Sequence, residues 1–294
     1  MVKWYKLVFK QIQPVHIGYK RWGVVNETRL FIPGQTMWGA LTNAYGIKKG
    51  WGKEDFEDNN NKAIFERITC FYPALKNNNN VNEYTTLFPN YKNGEFYLED
   101  YSESEFRYKF SESEFRYKFV ETFVSTAILQ ESRQAKEGSL HELDVILPKS
   151  KDGKVALYWV GLIGLDENSD VHAFLRKGLE IFIGGDNRYG LGLVRLEEIK
   201  EEENLELWNL NKDGGLVYNY NENDLLKNFL QFNNSIKFEG GLELIAEFNF
   251  QKNRPLIEKN NVEYFITPGS KIKNTNLQSY MLKRGKFVSD NNKQ

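Results

Sequence analysis

Four glycines fall within nine residues, in the run Gly184-Gly185-Asp186-Asn187-Arg188-Tyr189-Gly190-Leu191-Gly192. Glycine at that density weakens both helix and strand, so a loop is forced here and the flanking elements must end at it. Apolar spacing predicts a helix over Val171 to Phe182, with Leu175, Leu179 and Phe182 on one face, and a strand over Leu193 to Ile199. Helix, glycine loop, strand reverses the order of a dinucleotide fingerprint, and Arg195 stands where that motif's third glycine would fall. No Walker loop occurs either; Gly50-Trp51-Gly52-Lys53-Glu54 has the Gly-Lys pair without the spacing or the hydroxyl. Locally, a helix end followed by a tight turn would account for the glycines. The residues around them allow more: Gly184, Gly185, Gly190 and Gly192 permit close backbone approach to a ligand. Asn187 and Arg188 suit phosphate, and Tyr189 offers a flat face to a base.

The rest of the chain reads as many strands and few helices. Trp4 to Phe9 alternates as a strand, and Pro14-Val15-His16-Ile17-Gly18 ends it. A loop with Lys20, Arg21, Trp22 and Gly23 precedes a short apolar strand, Leu30 to Ile32. Gln35 to Tyr45 places Met37, Leu41 and Ala44, and Trp38, Leu41 and Tyr45, at helical spacing, with Gly46 as the stop. Residues 50–100 are polar and Asn-rich, with Asn59 to Asn61 and Asn77 to Asn80, and read as a loop-rich insertion. Residues 102–110 are SESEFRYKF, and 111–119 repeat them letter for letter. Aromatics alternate with charges in both copies, so each reads as a strand of an exposed hairpin that tolerates duplication. Further strands are expected at Phe123 to Leu129, Leu140 to Leu147, Val155 to Leu165, Leu242 to Phe250 and Val262 to Thr267. Glu201 to Glu203 marks a solvated turn or linker, and the tail beyond Ser289 reads as frayed. The expected fold is α+β, with helices on one face of a mostly antiparallel sheet. The expected division is residues 1–200, with an insertion at about 50–120, and a β-rich half over 201–294.

Composition excludes several classes. With 40% hydrophobic and 27% charged residues the chain is folded, not disordered or fibrous. No apolar run approaches 18 residues and no signal-peptide pattern opens the chain, so a cytoplasmic protein without membrane contact is expected. The lone Cys70 reads as a small buried hydrophobe, and no Cys/His cluster suggests zinc. No metal or cofactor is expected. The net charge of −1 argues against a general nucleic-acid binder, but its distribution does not. The first 53 residues carry nine basic side chains against the single acid Glu27, and the last 44 carry nine against three. Brought together, the basic ends would make one positive face for phosphates, leaving an acidic remainder for a protein partner.

Three segments resemble one family. The glycine segment is similar to the glycine-rich loop of the RAMP superfamily, the CRISPR-associated RNA-binding proteins built on RRM-like ferredoxin folds. His16-Ile17-Gly18 followed by Phe31-Ile32-Pro33-Gly34-Gln35-Thr36-Met37-Trp38-Gly39-Ala40-Leu41 resembles that family's "I-P-G-S-S-L-K-G-A-L" lead into its first helix. Gln35-Thr36 replaces the Ser-Ser pair, and Trp38 the basic residue. Ser132 to Leu143, with Arg133, Lys136 and Gly138, is similar to the "R-x-x-x-A-x-x-G-x-L" stretch of several of its subunits from Ala135 to Leu140, with Arg133 two residues closer to the alanine. About 100 residues follow the glycine loop, and Tyr264 to Ser270 among them, with four residues between Tyr264 and Gly269 where the element has three, looks like the "y-x-x-x-G-S" element of 5′-handle-binding subunits of type III effectors.

The resemblance implies a non-catalytic subunit that caps the crRNA 5′ end and docks on the large polymerase-like subunit beside other RAMP subunits. It implies RNA contacts from Gly18, Lys20, Arg21, Trp22, Gln35, Thr36, Arg133 and Lys136, and from the loop residues Gly184, Gly185, Asn187, Arg188, Tyr189, Gly190 and Gly192. Two cations beside an aromatic at 20–22 suit single-stranded RNA on their own chemistry. The rival from another class is an endoribonuclease of the superfamily. Its candidates are His16 for general acid–base work and Asp144 or Asp152 for metal-assisted cleavage. No carboxylate pair has metal-site spacing, and His141 and His172 stand apart. A third reading is a protein scaffold of similar fold without RNA contact.

Overall fold

The computed structural model describes residues 2–76, 83–100, 108–167, 170–220, 224–249, 256–273 and 279–289. Asn77 to Asn80, most of the first SESEFRYKF copy and the tail beyond Ser289 lie outside them. The architecture is α+β with mainly antiparallel sheets.

The centre is a six-stranded antiparallel sheet in the order Glu180–Phe182, Leu193–Glu201, Val2–Gln11, Leu157–Asp166, Tyr72–Lys76 and Tyr84–Thr86. Val2–Gln11 is internal, so both its faces are covered and its alternation sorts residues between two cores. Leu7 and Phe9 join Met37, Leu41 and Tyr45 of the helix α1 (Gly34–Lys49) on one face. Trp4 and Val8 join Trp208, Phe229, Phe265 and Phe287 from the C-terminal half on the other. Residues 1–200 and 201–294 therefore share a core across the back of this sheet. Cys70 is fully buried there, and burial pushes its thiol up to about 12.

The C-terminal half forms a second sheet in the order Leu242–Asn249, Leu256–Ile266, Phe229–Gln231, Lys286–Ser289 and Tyr280–Lys283. A third sheet, Gly18–Trp22, Val25–Thr28, His141–Ile146 and Val120–Ser125, stands out from the body with most of Gly18–Trp22 and Val120–Ser125 exposed.

Several sequence expectations need correction. The helix over Val171 to Phe182 shrinks to one turn, Val171–Phe174. Gly178 turns the chain at φ +90°, and Glu180–Phe182 then pairs with Leu193–Glu201. A ladder partner was available, and the strand won over the helical spacing. The glycine segment is thus the loop of a β-hairpin, not a link from helix to strand. Gly46 does not stop α1, which runs to Gly50 in the left-handed region at φ +71°. Gly46 is small because the rings of Phe56 and Trp51 press on it. Lys20, Arg21 and Trp22 lie on the strand Gly18–Trp22 rather than in a loop, and Leu30 to Ile32 keeps a single bridge, Ile32 to Phe71. The Asn-rich stretch is less loop-like than its composition: Tyr72–Lys76 is an internal strand of the main sheet. Glu201 completes a strand, and the Glu202 N–H donates to the Trp4 carbonyl at 2.9 Å.

The repeat differs most. The end of the first copy, Lys109–Phe110, lies in a strand, whereas the second copy is the helix Glu112–Phe119. Ser111 caps that helix, accepting from the Glu114 N–H while the Glu114 carboxylate accepts from the Ser111 N–H. Phe115 and Phe119, four apart, are fully buried. The second copy is a core element, not a surface hairpin.

Candidate nucleic-acid interface

A cleft of about 850 Å³ opens between the first helix, the glycine loop and the C-terminal sheet. One wall is α1, whose small residues Thr36, Gly39, Ala40 and Asn43 follow one face of the helix. No side chain caps the N-terminus of α1 and no acid occupies its first turn, so the positive end of its dipole is not offset there, although the Thr36 and Met37 N–H groups already donate to the Pro33 carbonyl at 2.9 and 3.2 Å. The second wall is Gly18 with Gly184, Gly185 and Phe182. Leu244, Ile245 and Ala246 of the C-terminal sheet form the third.

Two backbone contacts fix this geometry. Gly184 sits at φ +74° against the 14–18 segment, and a Cβ there would lie 2.1 Å from the His16 carbonyl oxygen. The loop is stitched to the same segment by Gly185 N–H to the His16 carbonyl at 3.1 Å and Gly192 N–H to the Pro14 carbonyl at 2.8 Å. On the other side, a Cβ on Gly34 would lie 2.5 Å from the Gly285 Cα. Glycine at both positions lets the turn at Arg284-Gly285 dock against the start of α1. That turn is held by Gly285 N–H to the Ile68 carbonyl and Arg284 N–H to the Glu66 carbonyl, each at 2.7 Å. The Pro33-Gly34 pair is therefore a docking seat for the C-terminal half.

The docking brings in charges that sequence reasoning missed. Arg29, Glu243, Arg284 and Lys286 all line the cleft. Arg29 makes a two-pronged ion pair with Glu243 and stacks on Tyr19 with 4.7 Å between guanidinium and ring centre. Arg284 pairs with Glu66 and lies 3.7 Å over the Trp38 ring, its buried Nε without a hydrogen-bond partner among the described residues. The Lys286 ammonium, on a buried side chain, donates to Gln35 Oε1 at 3.5 Å. Arg29 comes from the basic first 53 residues, Arg284 and Lys286 from the basic last 44. The charge count signalled that the two ends carry cations; only the fold joins them.

The sequence-derived residues fall into three groups. Gly18, Gln35, Thr36, Gly184 and Gly185 meet in the cleft. Asn187, Arg188, Tyr189 and Gly190 form an outward turn of 3-10 helix beside it, with Tyr189 84% exposed. Gly192, at φ +95°, closes the loop, and a Cβ there would lie 2.4 Å from the Ile183 carbonyl. Lys20, Arg21 and Trp22 run out from Gly18 along the exposed third sheet, with Trp22 62% exposed and donating to Glu27. Arg133 and Lys136 are not in the cleft; they ride the exposed tip between Val120–Ser125 and His141–Ile146, Arg133 at φ +54°. Gly269 and Ser270 are structural: Ser270 is buried and its hydroxyl accepts from the Gly241 N–H at 3.1 Å.

The candidate catalytic residues are adjacent but engaged. His16 is buried, and its Nδ1 lies 2.7 Å from the Asp144 backbone carbonyl. The Asp144 carboxylate accepts from Thr122 at 2.8 Å and faces Arg116 at 3.6 Å. Asp152 lies apart in a turn, where hydrogen bonds from Ser150 and the Lys154 N–H hold its carboxyl below the usual range. Among the described residues no three His, Cys, Asp or Glu side chains are grouped to hold a metal ion. No described helix is long and apolar enough to cross a membrane.

The architecture, antiparallel sheets with a helix and a glycine hairpin framing one cleft, is the α+β RAMP-like fold that the sequence resemblance implied. Comparison with known proteins bears on this fold alone. No family model and no curated protein matches the sequence. Among solved structures, a chain of the type III-B Cmr-beta bound to cognate target RNA and AMPPnP matches with a TM-score of 0.56 and 14% identity, over 95% of this chain and 86% of that one. A chain of Cmr-beta bound to cognate target RNA matches with a TM-score of 0.55 and 14% identity, over 91% and 86%.

Proposed function

We propose that this chain is a non-catalytic RNA-binding subunit of a type III CRISPR effector complex, holding the sugar–phosphate backbone of crRNA in the cleft. The observation that carries this reading is the convergence of three separated segments, at 16–18, 33–36 and 184–192, on one cleft. Glycine backbone, the uncapped start of α1 and three cations meet there. Fixed N–H groups and basic side chains bind phosphate without reading sequence. Tyr189 and Trp22, both exposed, offer stacking faces for bases. The fold likeness to chains from RNA-bound Cmr-beta structures supports RNA and other effector subunits as partners. Capping of the crRNA 5′ end and docking on the large subunit rest on the resemblance of Tyr264 to Ser270 and the length of chain after the glycine loop.

A ribonuclease needs a base within reach of a 2′-hydroxyl. His16 has one ring nitrogen committed to a carbonyl, and Asp144 has its carboxylate committed to Arg116 and Thr122, which favours positioning over chemistry for both. The test is binding of a short crRNA-like single strand across a salt series, with an intact-RNA gel on the same samples. Binding should be salt-sensitive with uncut RNA, and Arg188→Ala should lower the slope by about one phosphate's worth. Cleavage that His16→Ala abolishes would refute the non-catalytic assignment. A wild-type chain that binds no RNA at low salt would refute the cleft as an RNA site.

A further inference from the structure

The cleft is not the end of the groove that α1 makes with the Glu180–Phe182 strand. Both elements continue outward, away from the Arg284-Gly285 turn. Asn43 lines the cleft, Ile47 continues the same helix face one turn on, and Lys48 beside it, about 7.5 Å along the helix from Asn43, turns toward the second depression with its ammonium 5.5 Å over the Phe174 ring. On the facing strand, Phe182 lines the cleft and Glu180 lies two residues on, about 7 Å away. There the same two walls border a second, shallower depression of about 540 Å³, lined by Lys48, Phe174, Arg176, Lys177 and Glu180.

Its charges are unevenly committed. Glu180 is taken by Arg195, whose Nε and Nη2 donate to it at 2.9 and 2.7 Å, and Lys49 faces Asp170 at 3.8 Å. Lys48, Arg176 and Lys177 have no carboxylate within ion-pair distance among the described residues, and all three are exposed. The turn that carries Arg176 and Lys177 is fixed by Gly178 N–H to the Leu196 carbonyl and Leu179 N–H to the Arg176 carbonyl. The cations are therefore displayed from a tied backbone. Between the two depressions, Phe182 is 49% exposed on the strand and Ile47 is exposed on the helix. A groove with cations at each end and an apolar floor between them matches a single strand of nucleic acid, whose phosphates and base faces need both.

The geometry points to Lys48, Arg176 and Lys177 as a second phosphate site, extending the path of single-stranded RNA along the groove beyond the cleft. This rests on the RNA reading of the cleft. An acidic peptide would also meet the cations, but it would leave the apolar floor and the continuity with the cleft unexplained.

The test uses the full chain and labelled oligouridylates of 4 and 12 nucleotides, near 150 mM salt and across a salt series. The Debye length at that salt, about 8 Å, is close to the separation of the two depressions, so the outer cations act only in attenuated form on a strand held in the cleft. The triple variant Lys48→Gln, Arg176→Gln, Lys177→Gln should bind the 12-mer about ten- to a hundredfold more weakly. Its salt slope should fall by about two, since each single-strand phosphate contact contributes about 0.7. Binding of the 4-mer should weaken much less. An unchanged 12-mer slope would overturn the extension, and so would equal weakening at both lengths. A wild-type chain that binds neither oligomer would fail the cleft reading itself, a separate result.

Discussion

Replacing Gly184 by alanine tests whether the glycine hairpin is built by contact with the 14–18 segment. Two costs add. Alanine at φ +74° is strained by about 1–2 kcal/mol. Its Cβ would also sit 2.1 Å from the His16 carbonyl oxygen, far inside contact distance, and that atom is backbone that cannot rotate away. Relieving the overlap shifts the loop or the His16 peptide, at about 1–3 kcal/mol for overpacking. It also strains the Gly185 N–H bond to the same carbonyl, worth about 1 kcal/mol. With that bond included, the expected loss is about 3–6 kcal/mol. Gly190→Ala is the control: its φ is +81°, but a Cβ there meets nothing within 4 Å, so only the strain of about 1–2 kcal/mol remains. Urea unfolding followed by tryptophan fluorescence would measure both variants. RNA binding should fall for Gly184→Ala well below its unfolding midpoint, because the loop wall of the cleft has moved. Equal destabilisation of the two variants, or less than about 1 kcal/mol for Gly184→Ala, would refute the argument.

Within the second SESEFRYKF copy, Phe115→Ala should cost about 3–5 kcal/mol and Ser111→Ala about 1, while the exposed Tyr117→Ala should be near neutral in the same melts. Burial pushes the Lys227 ammonium down to about 7, with Asp224 and Glu99 opposing the shift. A folded value below the unfolded one, near 10.4, means that the unfolded chain holds more protons between about pH 7 and 10. The lysine's destabilising contribution is therefore full below pH 7 and relieved as pH rises. Lys227→Met should remove that relief, so wild type should gain on the variant by up to about 1.4 kcal/mol per pH unit between pH 7 and 9. Comparing the two chains cancels the opposing contribution of the buried Cys70 thiol, and parallel stability–pH curves would refute the assignment.

Alternation along Trp4 to Phe9 and the helical spacing within Gln35 to Tyr45 were legible because each is a local pattern that burial obeys. The glycine run forced a loop at 184–192, and the motif segments at 16–18 and 33–36 marked residues that do reach one cleft. The duplicated nonapeptide was not legible. Its two copies share every residue, so no propensity separates them. Ser111 as a cap and a cavity for Phe115 and Phe119 make one a helix, while Lys109–Phe110 finds a strand partner in Leu98 and Glu99. Val171 to Phe182 failed for a related reason: helical spacing is a weak preference, and a ladder with Leu193–Glu201 outweighs it. Composition placed cations at both ends of the chain without saying that they meet. That was decided by Gly34 against Gly285, where two backbones touch because neither carries a Cβ, seating Arg284 and Lys286 beside Gln35. Local sequence thus determined the separate elements and the loop, whereas long-range packing, which no window of sequence contains, decided which of them form a site.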